Sequence, residues 1–162
     1  MKILILILSL SNLFFCSFSA FAETASSPSS PSAREDLSSL ANFLGQPLEL
    51  VLETLGMPED MFSVRGPSEG QDSVVFLYKN RLSFYWADRH VWQVRADREF
   101  LSERRALFFG MTREDSVRLL GDPDLTKEDL SIYTLPQRGY PVACALYFED
   151  GLSDLYVYRS DF

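Results

Sequence analysis

The strongest constraint on this chain is a pattern that occurs twice. Gly45-Gln46-Pro47 is echoed by Gly110-Met111-Thr112, and Leu55-Gly56-Met57-Pro58 by Leu120-Gly121-Asp122-Pro123, both at a spacing of 65 residues. Further on, Tyr85-Trp86-Ala87-Asp88 is echoed by Tyr147-Phe148-Glu149-Asp150 at a spacing of 62. Helix caps resemble one another wherever they occur. A common spacing at two separate glycines predicts more than that, namely a duplicated unit.

Each unit reads as helices followed by strands. Leu37, Leu40, Ala41 and Leu44 recur at helical spacing, and Gly45 ends that run. Pro47 suits a first helical turn, Leu48, Val51, Leu52 and Leu55 form one apolar face, and Gly56 caps it. Strands are predicted at 73–78, 81–86 and 90–96, as an antiparallel meander. In the second, Leu82, Phe84 and Trp86 alternate with Arg81, Ser83 and Tyr85. In the third, Trp92 and Val94 are placed opposite Val91, Gln93 and Arg95. The pattern restarts with a helix over 99–109 and a second helix capped by Thr112, with Asp115 in a capping-box position. Strands follow at 131–135, 142–148 and 152–158, and Asp150-Gly151 is a hairpin turn. The predicted fold is α+β: two tandem helix–helix–three-strand antiparallel units, 35–98 and 99–162, with the helices packed on one face of the sheet.

The N-terminal segment constrains location. Met1-Lys2, the aliphatic run from Ile3 to Leu8 and Ala20-Phe21-Ala22 form a secretory signal, so 1–22 is expected to be cleaved. Lipid attachment at Cys16 is the alternative; Leu13 fits a lipobox, but the bulky Phe14 and Phe15 fit the processing site poorly. Residues 23–34 are Ser/Pro-rich and read as a disordered tether. Cleavage leaves Cys144 alone, without an internal disulfide, and a net charge of −9. That charge argues against nucleic acid and anionic membrane surfaces as partners. The expectation is an exported, periplasmic or secreted product with no membrane span after cleavage.

The segment FGMTREDSVRLLGDPD, followed by ALYFEDGLSDLYVY, resembles the SmpA/OmlA (BamE) family and the wider β-lactamase-inhibitor-protein-like superfamily. Gly110, Met111, Thr112, Leu120, Gly121, Pro123, Phe148, Asp150 and Gly151 carry the resemblance. Gly45, Leu55, Gly56, Pro58, Trp86 and Asp88 carry it more loosely in the first half. It implies paired helix–helix–three-strand units. In the two-copy inhibitor branch, the sheets join into one concave surface that grips a protein. In the outer-membrane-assembly branch, a single lipidated copy scaffolds a membrane complex. No inhibitory residue carries over.

Chemistry is sparse. His90 is the sole histidine and has no local partner for base catalysis. Cys144, between Ala143 and Ala145, reads as a small buried hydrophobe. The acids at Asp122/Asp124 and Glu149/Asp150 fit turns. No metal or cofactor is expected. Tyrosines remain: Tyr85, Tyr147, Tyr156 and Tyr158 oppose the core side of their strands, and Tyr133 is grouped with them. Tyr combines apolar area with a polar tip, which suits a protein-binding surface. The functional expectation is a non-enzymatic module that holds a protein or peptide partner of the cell envelope on the open sheet face. The alternative is a small-ligand or lipid carrier with a pocket between helices and sheet. The oligomeric state is not readable from the residues.

Overall fold

The computed structural model describes residues 33–66, 72–102 and 106–162. The expected signal peptide, Cys16 and most of the expected tether lie outside the described residues. Among the described residues four helices, α1 (Ala33–Ala41), α2 (Leu48–Leu55), α3 (Arg98–Ser102) and α4 (Arg113–Leu120), accompany eight strands. These are β1 (Asp60–Val64), β2 (Ser73–Leu77), β3 (Leu82–Ala87), β4 (His90–Ala96), β5 (Leu125–Thr126), β6 (Leu130–Leu135), β7 (Val142–Phe148) and β8 (Leu152–Arg159).

All eight strands form one antiparallel sheet in the order β1-β2-β3-β4-β8-β7-β6-β5. The order runs outward in both directions from a central β4–β8 pair. That pair is held in register by Gln93↔Tyr158, Val94↔Val157, Arg95↔Tyr156 and Ala96↔Leu155. The chain is therefore α+β, with a single continuous sheet. The edge strands β1 and β5 exceed the three strands per unit expected from the sequence. Their residues are exposed throughout, so no apolar alternation announces them.

The local bonds of the two halves correspond. The Gly45 amide donates to the Val91 carbonyl, and Val91 donates back to Gln46. Likewise Gly110 donates to Leu152, and Leu152 donates back to Met111. Gly56 caps α2 through Leu52, and Gly121 caps α4 through Val117, each glycine in the left-handed region with φ of 79° and 88°. Thr112 and Asp115 close the expected capping box. Pro47 sits one residue earlier than expected, as the N-cap of α2, and bridges to His90.

One core lies between helices and sheet. Leu37 and Leu40 of α1, Val51 of α2, Leu101 of α3 and Leu120 of α4 share a cluster with Phe84, Val94, Leu146, Leu155 and Val157. Burying each such side chain contributes about 1.5–3 kcal/mol. Ala33 and Arg34 belong to α1 and not to a tether. Ala33 is buried, and the Arg34 guanidinium donates to the Leu120 carbonyl at 2.6 Å, satisfying a free acceptor at the end of α4. The helix expected over 99–109 is shorter. Asp97 caps α3 through the Glu99 and Phe100 amides; among the described residues the helix covers Arg98–Ser102, and residues 106–109 are not helical.

Two bulges set the strand faces. In β3–β4 the register shifts between Tyr85↔Gln93 and Trp86↔Val91, leaving Trp92 as the extra residue. In β7–β8 it shifts between Tyr147↔Asp154 and Phe148↔Leu152, leaving Ser153 extra. A bulge lets two consecutive residues project to one side. This corrects the expected faces of β4. Val91 is fully buried in the core with Val94, and Trp92 lies on the opposite face beside Gln93.

Candidate functional site

The sheet face turned away from the helices is the candidate site. Strand alternation brings Tyr85, Gln93, Arg95, Asp154, Tyr156, Tyr158 and Tyr147 onto it. Four of the five expected tyrosines are thus brought together. Tyr133 is not among them. It pairs with Cys144, is 5% exposed, and packs in the core with its hydroxyl 3.4 Å from Ser116 Oγ. Its strand carries apolar residues on both parities, and the helices cover the parity of Tyr133 and Leu135.

The centre of the face is charged. Arg95 Nε donates to Asp154 Oδ1 at 2.8 Å, joining β4 to β8 across the junction of the halves. The Arg95 guanidinium lies 5.9 Å from the Tyr156 ring centroid, and Tyr156 meets Tyr147 edge-on at 5.4 Å. Burial is the largest single influence and works against the Arg95 charge, but the hydrogen bond to Asp154 together with the neighbouring Tyr156, Asp154 and Tyr85 outweighs it, and the guanidinium pKa is raised. Burial pushes the Tyr156 phenol up to about 12 against the pull of Arg95. Burial also raises Tyr85 and Tyr158. The small, buried residues Ala143 and Ala145 are the cross-strand partners of Tyr158 and Tyr156.

Two hollows flank that centre. On the first half a pocket of about 360 Å³ is walled by Val64, Ser73, Tyr85, Ala87, Trp92 and Phe162. Trp92 stacks on Phe162 at 5.8 Å, meets Tyr85 edge-on at 6.2 Å, and donates its indole N–H to Ser73 Oγ at 3.0 Å. On the second half an open groove of about 370 Å³ is bordered by Asp129, Tyr147, Glu149, Ser153 and Asp154. The sequence reading missed Trp92, Arg95, Asp154 and Phe162 as members of this face. The parity of Arg95 and Asp154 with Tyr156 signals the two charges. The Trp92 bulge carries no such mark.

A third cavity, of about 220 Å³, lies between α1, α3 and the sheet, lined by Leu40, Phe43, Leu82, Phe100, Leu107 and Leu155. It is smaller than the ~300 Å³ where ligand pockets begin.

The other singled-out groups have structural settings. Cys144 is fully buried, and burial raises its thiol pKa far above the usual value, as expected of a small core residue. His90 is exposed, with Nδ1 2.8 Å from the Asp88 carbonyl. Asp124 accepts from the Thr134 amide at 2.6 Å, which lowers its pKa and ties the β5 turn to β6. Among the described residues, no group of three or more His, Cys, Asp or Glu side chains could hold a metal ion. No helix among them is long and apolar enough to cross a membrane.

No protein-family model matches the chain, and no curated protein matches it. Two solved structures are similar to it. One is an extracellular protein containing an SCP domain from Bacillus anthracis, at 15% identity and a TM-score of 0.48, covering 86% of this chain and 49% of that one. The other is a DUF4309 family protein from Bacillus subtilis, at 18% identity and a TM-score of 0.46, covering 79% of this chain and 98% of that one. The chain spans about half the length of the first.

Proposed function

We propose that the chain is an exported, non-enzymatic binding module that holds a protein or peptide partner on its open sheet face. One observation carries this reading. Four half-buried tyrosines surround the Arg95–Asp154 ion pair on a sheet face that no described helix covers. Aromatic rings and arginine dominate protein-binding hot spots, because they bring large contact area with directional polar ends. The helix side supports the carrier reading less well, since its cavity is small and its core side chains are packed.

The module is built, on this reading, from two copies of one helix–helix–sheet unit. Matched glycine caps, matched loop-to-strand bonds and matched bulges support it. The resemblance to the SmpA/OmlA and β-lactamase-inhibitor-protein-like proteins agrees with a grip on protein. Export rests on the N-terminal signal pattern.

The test uses the purified protein to retain partners from an envelope extract, followed by titration with the identified partner. Tyr147→Ala and Tyr156→Ala are expected to keep the circular dichroism spectrum and to weaken binding by about 2 kcal/mol or more each. Binding that survives both substitutions unchanged places the partner elsewhere and refutes the reading.

A further inference from the structure

The two edges of the sheet are protected unequally. Edge strands expose unpaired backbone groups, and natural proteins guard them by shortness or by charge. β5 follows both rules. It is two residues long and is flanked by the exposed charges Asp122, Asp124, Lys127, Glu128 and Asp129. β1 follows neither. It spans five residues, pairs with β2 alone among the described residues, and exposes Met61, Phe62 and Val64 at 56%, 44% and 37%. Val74 behind it, on β2, is 48% exposed.

We propose that β1 is a self-association edge, through which two copies of the chain pair antiparallel about Phe62. The sequence of the edge is complementary to itself in that register. Phe62 meets Phe62 of the second copy, Met61 meets Ser63, and Asp60 meets Val64. One residue further out, Glu59 meets Arg65, twice by symmetry. No like charges face each other; the central pair is aromatic–aromatic and the Glu59–Arg65 pairs are opposite in charge, combinations that stabilise cross-strand neighbours. The same chain already joins its halves through an antiparallel edge, β4–β8, over four residue pairs. β1 offers five. The contact is isologous, so it closes as a dimer, and the guarded β5 edge prevents further growth.

Sedimentation equilibrium over a concentration series tests this. The parent protein is expected to show a monomer–dimer equilibrium. Phe62→Lys sets two ammonium groups on the twofold axis and is expected to raise the dissociation constant roughly tenfold or more. Leu125→Lys, on the opposite edge, is expected to leave it unchanged. Phe62 is exposed, so the variant keeps its fold, which circular dichroism checks. In the chain without residues 1–22, Phe62→Cys is expected to give a disulfide-linked dimer on mild oxidation, since Cys144 is buried. Three results would each overturn the proposal. The parent is a monomer at every concentration, the two lysine variants weaken the dimer equally, or a dimer forms that Phe62→Cys cannot cross-link.

Discussion

The two halves of the open face share a backbone device and display different chemistry on it. Each inner hairpin carries a bulge one turn from its tip, opposite Tyr85 in the first half and Tyr147 in the second. In the first half the extra residue is Trp92, whose ring builds an apolar pocket with Tyr85 and Phe162. In the second half it is Ser153, 4% exposed, whose hydroxyl donates back to the Tyr147 carbonyl at 3.2 Å. The neighbours follow the same division. Gln93 stands beside Trp92, whereas Asp154 stands beside Ser153 and faces Arg95. A backbone bend present in both halves therefore fixes where a side chain is aimed, and the residue at the bend decides whether the hollow is greasy or acidic.

The hairpin tips differ most, and the largest predicted effect lies there. In the second half Gly151 has φ of 108°, and a Cβ built on it would lie 2.4 Å from the Gly110 carbonyl oxygen. In the first half the turn residues Asp88 and Arg89 adopt positive φ with side chains in place. Gly151→Ala adds a backbone clash to backbone strain and is expected to cost about 2–4 kcal/mol. Urea unfolding measures it. A loss under about 1 kcal/mol would mean that the Gly110 turn gives way, and the two tips would then be equivalent.

Exchanging the bulge residues sharpens the comparison. Trp92→Ser removes two ring contacts and one hydrogen bond from a half-exposed site, with an expected loss of about 1–2 kcal/mol. Ser153→Trp inserts an indole at a buried position and is expected to cost more, about 2–3 kcal/mol, through overpacking. Equal losses in the two unfolding curves would show that the bulges tolerate either side chain.

Much of this arrangement is legible in the residues, for reasons that differ along the chain. Phe84, Leu146, Leu155 and Val157 alternate with Tyr85, Tyr147, Tyr156 and Tyr158, so parity alone assigns those tyrosines to the open face. Gly56 and Gly121 mark helix ends because their backbone needs positive φ. Parity fails in β6, where Leu130 and Ile132 compete with Tyr133 and Leu135 for the core, and tertiary packing decides. It fails again at Trp92, because one inserted residue inverts the faces of everything before it. The strands β1 and β5 bury nothing, so hydrophobic pattern cannot reveal them. The same exposure makes the contrast between β1 and β5 a matter of partners and not of packing.

The smallest predicted effect probes the line where the halves meet. The Tyr156 phenol titrates at about 12 in the folded chain, against an ordinary value of 10.0, with burial as the main cause. The folded state therefore holds its proton more tightly than the unfolded state does. That stabilisation is complete below pH 10, and it is lost as the pH rises toward about 12. Tyr85 and Tyr158, shifted upward by burial from both sides of the junction, act in the same direction. Stability measured by urea unfolding is expected to fall over this alkaline window. Tyr156→Phe, which cannot ionise, should flatten the fall. A slope unchanged in that variant would move the alkaline sensitivity away from Tyr156 and onto Tyr85 and Tyr158.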